Sequence, residues 1–432
     1  MNSDTRSNAG GMASSGAAAS SSRWTDGSMT RLVAKRYAAE RRFKLFGLAA
    51  VALSVAFLAF LLINMGVRGL GGFTQSQIRL DVDFVRTDLM LDPAALKGPQ
   101  AEQIVSGAGL DGVLETIAVA TYGAGADDLF GGASTRALGE QLIADPTLLT
   151  RRAQIWLPLS SKADVAVKRD GEPALEAFVA AADAKGAIRT RFNPGFLTNS
   201  DATDSSAVGV WGALKGSFLT IVVTMLLAFP VGVLSAVYLE EFAPRNRWTD
   251  IIEVSINNLA AVPSIIFGLL GLAVFLNFMH LPRSAPLVGG LTLALMTMPV
   301  IVIAGRNAIK SVPPSIRDAA LGVGASKMQV VFHHVLPLAL PGVLTGTIIG
   351  MARALGETAP LLMIGMRAFI ASPPRGITDP SSVLPVQIFL WSDEVDRGFV
   401  EKTSAAIIVL LLFMLLMNGL AIYLRNRFER RW

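Results

Sequence analysis

No cysteine occurs anywhere in this chain. That absence excludes disulfide staples, thiolate catalysis and cysteine metal sites. Histidine is scarce: His280, His333 and His334 are too few and too poorly spaced to make a metal cluster. Charge is scarce as well, at 16% of residues, against about 25% in an ordinary soluble domain. The sequence contains no G-x-x-x-x-G-K-[ST] and no Gly-Lys pair, so it has no phosphate-cradling P-loop. What is abundant is apolar: 52% of residues are hydrophobic and the mean hydropathy is +0.50. A membrane protein is the first expectation. A pI near 9.6 raises nucleic-acid binding, but the basic residues cluster beside apolar stretches. Positive flanks of membrane helices account for them, and no nucleic acid is expected.

A membrane helix needs about 20 predominantly apolar residues to cross the lipid bilayer. Six stretches qualify, near residues 45–67, 218–239, 256–279, 287–303, 341–365 and 404–424. The first is longer than a signal peptide's apolar core and no A-x-A-like site follows it, so it reads as a retained span. Basic residues crowd before the first span (Arg31, Lys35, Arg36, Arg41, Arg42, Lys44), after the last (Arg425, Arg427, Arg430, Arg431) and after the fourth (Arg306, Lys310, Arg317, Lys327). Six spans put all three regions on one side, and the positive-inside rule makes that side the cytoplasm, with both termini inside.

The expected division is a disordered, basic cytoplasmic tail at 1–44, the first transmembrane helix at 45–67, an extracytoplasmic accessory domain at 68–208, and a membrane domain with the other five spans at 209–432. The first 30 residues are rich in Ser, Ala and Gly, with little to bury. The 68–208 segment is net acidic and long enough for a small α+β domain. Within it, QIRLDVDFV (77–85) and ADVAVK near Ala163 alternate like strands, while 102–119 and 172–184 read as helices. A docking surface for a solute-binding protein and a brace for the outer mouth are the two readings of this domain.

Between the fourth and fifth spans lies RDAALGVGASKMQVVFHHVLPLALP (317–341), polar and basic in an apolar setting. Ser315, three residues before Asp318, reads as a capping box that opens a helix. Ala319 and Ala320 give that helix a small-sided face that a partner can approach closely. Gly322 and Gly324 can end it. Ser326 with Gln329 starts a second helix, which Leu336-Pro337 is expected to stop before Pro341 opens span five. Two short crossed helices make a compact knob that can transmit a push. A plain surface helix would show a wide apolar face opposite a basic one, and RDAALGVGASKMQ does not.

Span five contains GMARALGETAPLLMIG, which places Arg353 and Glu357 about midway along it. A charge at that depth costs about 2.5–3.5 kcal/mol, so such residues are functional candidates. Four positions apart, the two share a helix face and can pair. An arginine offers fixed donors suited to a tetrahedral oxyanion, and Glu357 could neutralise it between transport events. The alternative is a buried ion pair that fixes helix packing. Arg306, at the inner end of span four, is a weaker second candidate or an interfacial anchor. Pro230, Pro263 and Pro299 shape helices.

Asp318-Ala319-Ala320, Gly324 and Leu336-Pro337 together resemble the EAA loop of ABC importer permeases, with Asp318 in place of the usual glutamate. ARALGETAPLL, AAVPSIIFGLLGLAVF (260–275) and VYLEEFAP after span two are similar to PstA-like permeases of phosphate importers, over roughly residues 211–432. The resemblance implies an all-α polytopic membrane protein with six transmembrane helices in the type I ABC importer architecture, here with a small α+β extracytoplasmic insert between helices 1 and 2. It implies a coupling loop at 306–340 through which a separate ATPase drives the pore. ATP and magnesium would sit on that partner; this chain would bind no cofactor or metal and catalyse nothing. The partners implied are a homologous PstC-like permease, a PstB-like ATPase dimer and a PstS-like phosphate-binding protein, at a bacterial inner membrane. Arg353 and Glu357 correspond to residues of that family's anion pathway. The family usually has a short loop where the 68–208 insert stands. Another oxyanion, sulfate or molybdate, is the alternative substrate. A membrane-anchored sensor needs fewer spans, and a secondary transporter has no use for the knob.

Overall fold

The computed structural model describes residues 27–84, 89, 91–123, 126–168, 173–367 and 369–428. The chain divides into two compact units, residues 1–64 and 65–432. The first is described over most of one helix, α1 (Gly27–Gly72), whose last residues belong to the second unit. The expected tail is therefore corrected from residue 27 onward, while residues 1–26 lie outside the described residues. Ala, Arg, Lys and Glu are good helix formers, and Glu40 pairs with Lys44 one turn on at 2.6 Å, so the helix continues through the basic stretch.

The insert follows α1 directly. Its strands β1 (Thr74–Asp83), β2 (Arg152–Pro158) and β3 (Ile188–Phe192) form an antiparallel sheet in the order β2-β1-β3. Alternation along β1 buries Ile78, Leu80 and Val82 on one face. Helices α2 (Ala101–Ser106), α3 (Leu110–Tyr122) and α4 (Gly132–Ala144) cover that face through Val105, Leu110, Leu114, Leu138 and Leu142. ADVAVK is not a strand but part of α5 (Ser161–Lys168), which α6 (Pro173–Ala184) follows. Buried Asp164 accepts from the Ser76 backbone N–H at 2.8 Å, and Lys168 Nζ reaches Asp164 Oδ2 at 2.7 Å. Helical spacing brings residues four apart within bonding reach, and strand spacing does not.

The same lysine fastens the insert to the membrane helices. Lys168 Nζ donates to the Gly71 and Thr74 carbonyls at 2.9 and 2.8 Å, just where α1 passes into β1. Lys402, buried near the start of the last helix, donates to the Gly72 carbonyl at 2.8 Å. Two cations thus cap the carbonyl end of α1, the end that the helix dipole makes negative.

After the insert come α7 (Trp211–Phe242), α8 (Arg247–Ala260), α9 (Ser264–Phe278), α10 (Pro286–Lys310), α11 (Pro314–Gly322), α12 (Lys327–Gly356), α13 (Ala359–Met363), α14 (Leu384–Ser392) and α15 (Gly398–Phe428). Among the described residues five helices are long and apolar enough to cross a membrane, and α8 with α9, bent by 101°, brings the total to six if the pair is one span. The expected straight span at 256–279 is thus broken. Pro263 stands in extended backbone before α9, because it has no N–H to continue α8 and disfavours helix in the residue before it. α12 seats closely on α10: a side chain at Gly346 would meet the Ala304 methyl, and one at Gly342 would come within 2.7 Å of the Ala308 methyl. Small residues four apart let two membrane helices approach at backbone distance.

Candidate functional site

The knob forms from α11 and the start of α12, though not as its capping residues suggest. Pro313, not Ser315, precedes α11, and no side chain caps it. Pro314 sits in the first turn, where its missing N–H costs nothing, and that pushes Ser315 inside the helix. The far end follows expectation closely. Gly324 takes a left-handed φ of +88°, its N–H bonds to the Leu321 carbonyl at 2.9 Å, and the Ala325 N–H reaches the Ala320 carbonyl at 3.1 Å. This is a Schellman closure, which needs a residue without a side chain. Ser326 and Gln329 then make the expected reciprocal cap, at 2.8 and 3.4 Å.

Asp318 and Ala319 face outward, whereas Ala320 is only 6% exposed, packed among Val312, Val330, Val331 and Val335. Of the small-sided pair, one alanine is surface and the other holds the knob together. Leu336 and Pro337 do not stop a helix: α12 runs unbroken from Lys327 to Gly356. A wide π turn over Val330–Val335 precedes the proline. Such a turn changes which carbonyl each N–H meets, and so relieves the clash an internal proline causes.

Four residues of this site were not singled out from the sequence. At the end of α7 a π turn, Tyr238–Phe242, carries Glu240 and Glu241. Glu241 accepts from Arg317 Nη2 at 2.7 Å and Nε at 3.1 Å, while Arg317 also donates to the Val312 and Ile309 carbonyls at 2.7 and 3.0 Å. Glu240 accepts from Arg306 at 3.2 Å, and Arg306 reaches Glu253 on α8 at 2.7 Å. Arg317 therefore latches the knob to α7 and to the end of α10, and Arg306 extends the latch by tying α10 to α7 and α8. Two adjacent glutamates ending an apolar span on a basic side were the available signal. Arg317→Ala should lower stability by about 2 kcal/mol, the worth of hydrogen bonds to a charged group. Thermal unfolding of the purified protein would read this, and Glu241→Gln should add little to it, because the two act as one unit.

Arg353 and Glu357 lie elsewhere than expected. α12 begins earlier and ends at Gly356, so Arg353 is in its last turn rather than midway, and Glu357 stands beyond it in extended backbone. Pro360, at the start of α13, cannot continue the helix. The pair still meets, Nε to Oε1, at 3.4 Å, but it is not buried: the arginine side chain is 47% exposed. Its terminal nitrogens make no hydrogen bond or ion pair among the described residues. A group of His, Asp or Glu able to hold a metal is absent among the described residues. The arrangement offers an outward-facing guanidinium with free donors at one end of a long helix, and a latched knob at the other.

Residues 228–432 match the family model described as binding-protein-dependent transport system inner membrane component. Residues 30–177 match a second, described as a domain of unknown function (DUF3333). The chain is 32% identical over 206 residues to the probable ABC transporter permease protein YqgI of Bacillus subtilis, covering 45% of this chain and 69% of that protein. It is 35% identical over 158 residues to the phosphate transport system permease protein PstA 1 of Mycobacterium tuberculosis, covering 37% of this chain and 51% of that protein, so it spans about half of that relative's length. Among solved structures it is similar to the MetNI methionine ABC transporter in its inward-facing conformations, with a TM-score of 0.40, 19% identity, and coverage of 51% of this chain and 95% of that one.

Proposed function

Because this chain belongs to the binding-protein-dependent transport system inner membrane component family, the permease subunits of ABC importers, we propose that it forms half of the pathway of a phosphate importer driven by a separate ATPase. The observation that carries this reading is α12, one helix running from the knob to Arg353. Thirty residues at 1.5 Å each make a rod of roughly 45 Å. A helix in lipid is stiff, so displacing the knob displaces the guanidinium at the far end.

By the positive-inside rule the clusters of Lys and Arg support a reading with the knob and both termini in the cytoplasm and the insert outside. Asp318, Ala319, Leu321, Val323 and Met328 are exposed on the knob, a mixed polar and apolar surface that an ATPase subunit, PstB-like, would cover. Arg353 faces out of this chain, where a second permease, PstC-like, would close the pathway. There its free N–H donors take the oxygens of a phosphate delivered by a PstS-like binding protein. Glu357, at the long distance of 3.4 Å, yields to the substrate and re-pairs once the substrate leaves. ATP and Mg²⁺ belong to the partner.

Uptake of labelled phosphate in cells lacking this chain tests the assignment. High-affinity uptake should vanish and return with the intact gene, and excess sulfate or molybdate should leave it unchanged. Unchanged uptake in a strain with no duplicate system refutes the phosphate assignment, and competition by sulfate or molybdate replaces the substrate.

A further inference from the structure

The insert carries more acidic than basic residues, yet the outward face of its sheet is basic. The register sets Arg79 opposite Trp156, Gln77 opposite Arg189 and Gln75 opposite Arg191. The Arg189 guanidinium lies 3.8 Å from the centroid of Trp156, and that of Arg79 lies 5.9 Å from the same ring. Arg189 Nε also donates to Gln77 Oε1 at 3.0 Å. Of the acids on this face, Asp81 accepts two N–H donors from Arg152, at 3.0 and 3.1 Å, and Asp83 stands opposite Arg152 in the register. Arg79 and Arg191 are exposed. Partial burial, and next the neighbouring Arg191, hold the Arg189 guanidinium below its ordinary value. Like charges held together on a rigid sheet favour an anionic counterpart.

We propose that this face, with Arg79, Trp156, Arg189 and Arg191, docks an acidic surface of the importer's extracytoplasmic solute-binding protein. The proposal rests on the reading that places the insert outside. Arginine and aromatic side chains are the ones interfaces concentrate. Here Arg189 is fixed by stacking on Trp156 and by Gln77, and a fixed donor suits a partner that is itself folded more than it suits mobile lipid headgroups. The lysine caps on α1 hold the sheet to the first and last helices. A protein seated on the sheet is thereby held in a set position relative to those helices, which a flexible arm would not provide.

The test is a titration. The permease, reconstituted in lipid with its ATPase and partner permease, is titrated with phosphate-loaded solute-binding protein while ATP hydrolysis is followed. The variant carries Arg79→Glu and Arg191→Glu, both exposed and outside the permease helices. The half-maximal concentration should rise roughly tenfold or more, because like charges then face each other, and its salt dependence should weaken while the maximal rate is unchanged. An unchanged half-maximal concentration overturns the proposal. So does a loss of binding to phosphatidylglycerol vesicles with the titration unaltered, which would make the face a lipid platform. The side is checked separately: the chain has no cysteine, so Gln154→Cys should be the site that reacts with an impermeant maleimide added outside spheroplasts. Absence of labelling removes the outer placement itself, whatever the titration gives.

Discussion

Replacing Arg353 by leucine should cut phosphate uptake by roughly 100-fold while leaving the protein's amount and thermal stability nearly unchanged. Losing a charge-assisted contact to a bound ion costs about 2–5 kcal/mol, and each 1.4 kcal/mol is about tenfold. The stability arm follows from the geometry. The pair with Glu357 is a single 3.4 Å contact with the arginine side chain 47% exposed, and exposed pairs of this kind contribute about 0–1 kcal/mol. A role in helix packing predicts the reverse, with stability falling and uptake following it. Arg353→Lys refines the test, because lysine keeps the charge but not the planar fork. Uptake and assembly both intact in Arg353→Lys would sink the anion-site reading.

Bulk at the knob should uncouple the importer from its ATPase altogether. Gly324→Val forces a β-branched residue to φ +88°, at a cost of about 1–2 kcal/mol where glycine has none. Ala320→Leu overfills a site that is 6% exposed among four valines, and overpacking costs about 1–3 kcal/mol. Both act by deforming the knob. Ala319→Trp acts differently: the residue is on the surface, so the knob stays folded and only the docking surface changes. In pull-downs the ATPase should be lost in all three, while unfolding shifts only in the first two. An ATPase still bound after Gly324→Val and Ala320→Leu would remove the knob from the coupling role.

Much of the knob was legible because its signals are local. Gly324 is the left-handed residue of a turn six residues long, Ala320 to Ala325, and Ser326 with Gln329 cap each other across three positions. Each can be read within one helical turn of the sequence. Ser315 failed as a cap because Pro314 competed for the same turn and won, and α5 failed as a strand because its decisive contacts, Ser76 and Gly71, lie about ninety residues away. The pairing within the latch was hidden for the same reason: the two glutamates could be noticed, but Arg317 and Glu241 are separated by 76 positions, and nothing in either neighbourhood names the other.

The sequence by itself determined where the apolar segments lie, which ends are basic, where the knob stands and which two ionisable residues accompany GETAP. These depend on hydropathy and turn chemistry, which add up residue by residue along the chain. The tertiary structure alone decided that the third span breaks at Pro263, that α12 passes through Pro337, that Ala320 turns inward, and that Arg353 faces out beside a half-buried Glu357. Those outcomes depend on which distant surfaces must share a boundary: α10 against Gly346, three helices around Arg306 and Arg317, a lysine on the end of α1. Distance along the chain says nothing about such meetings, so no single window of residues contains them.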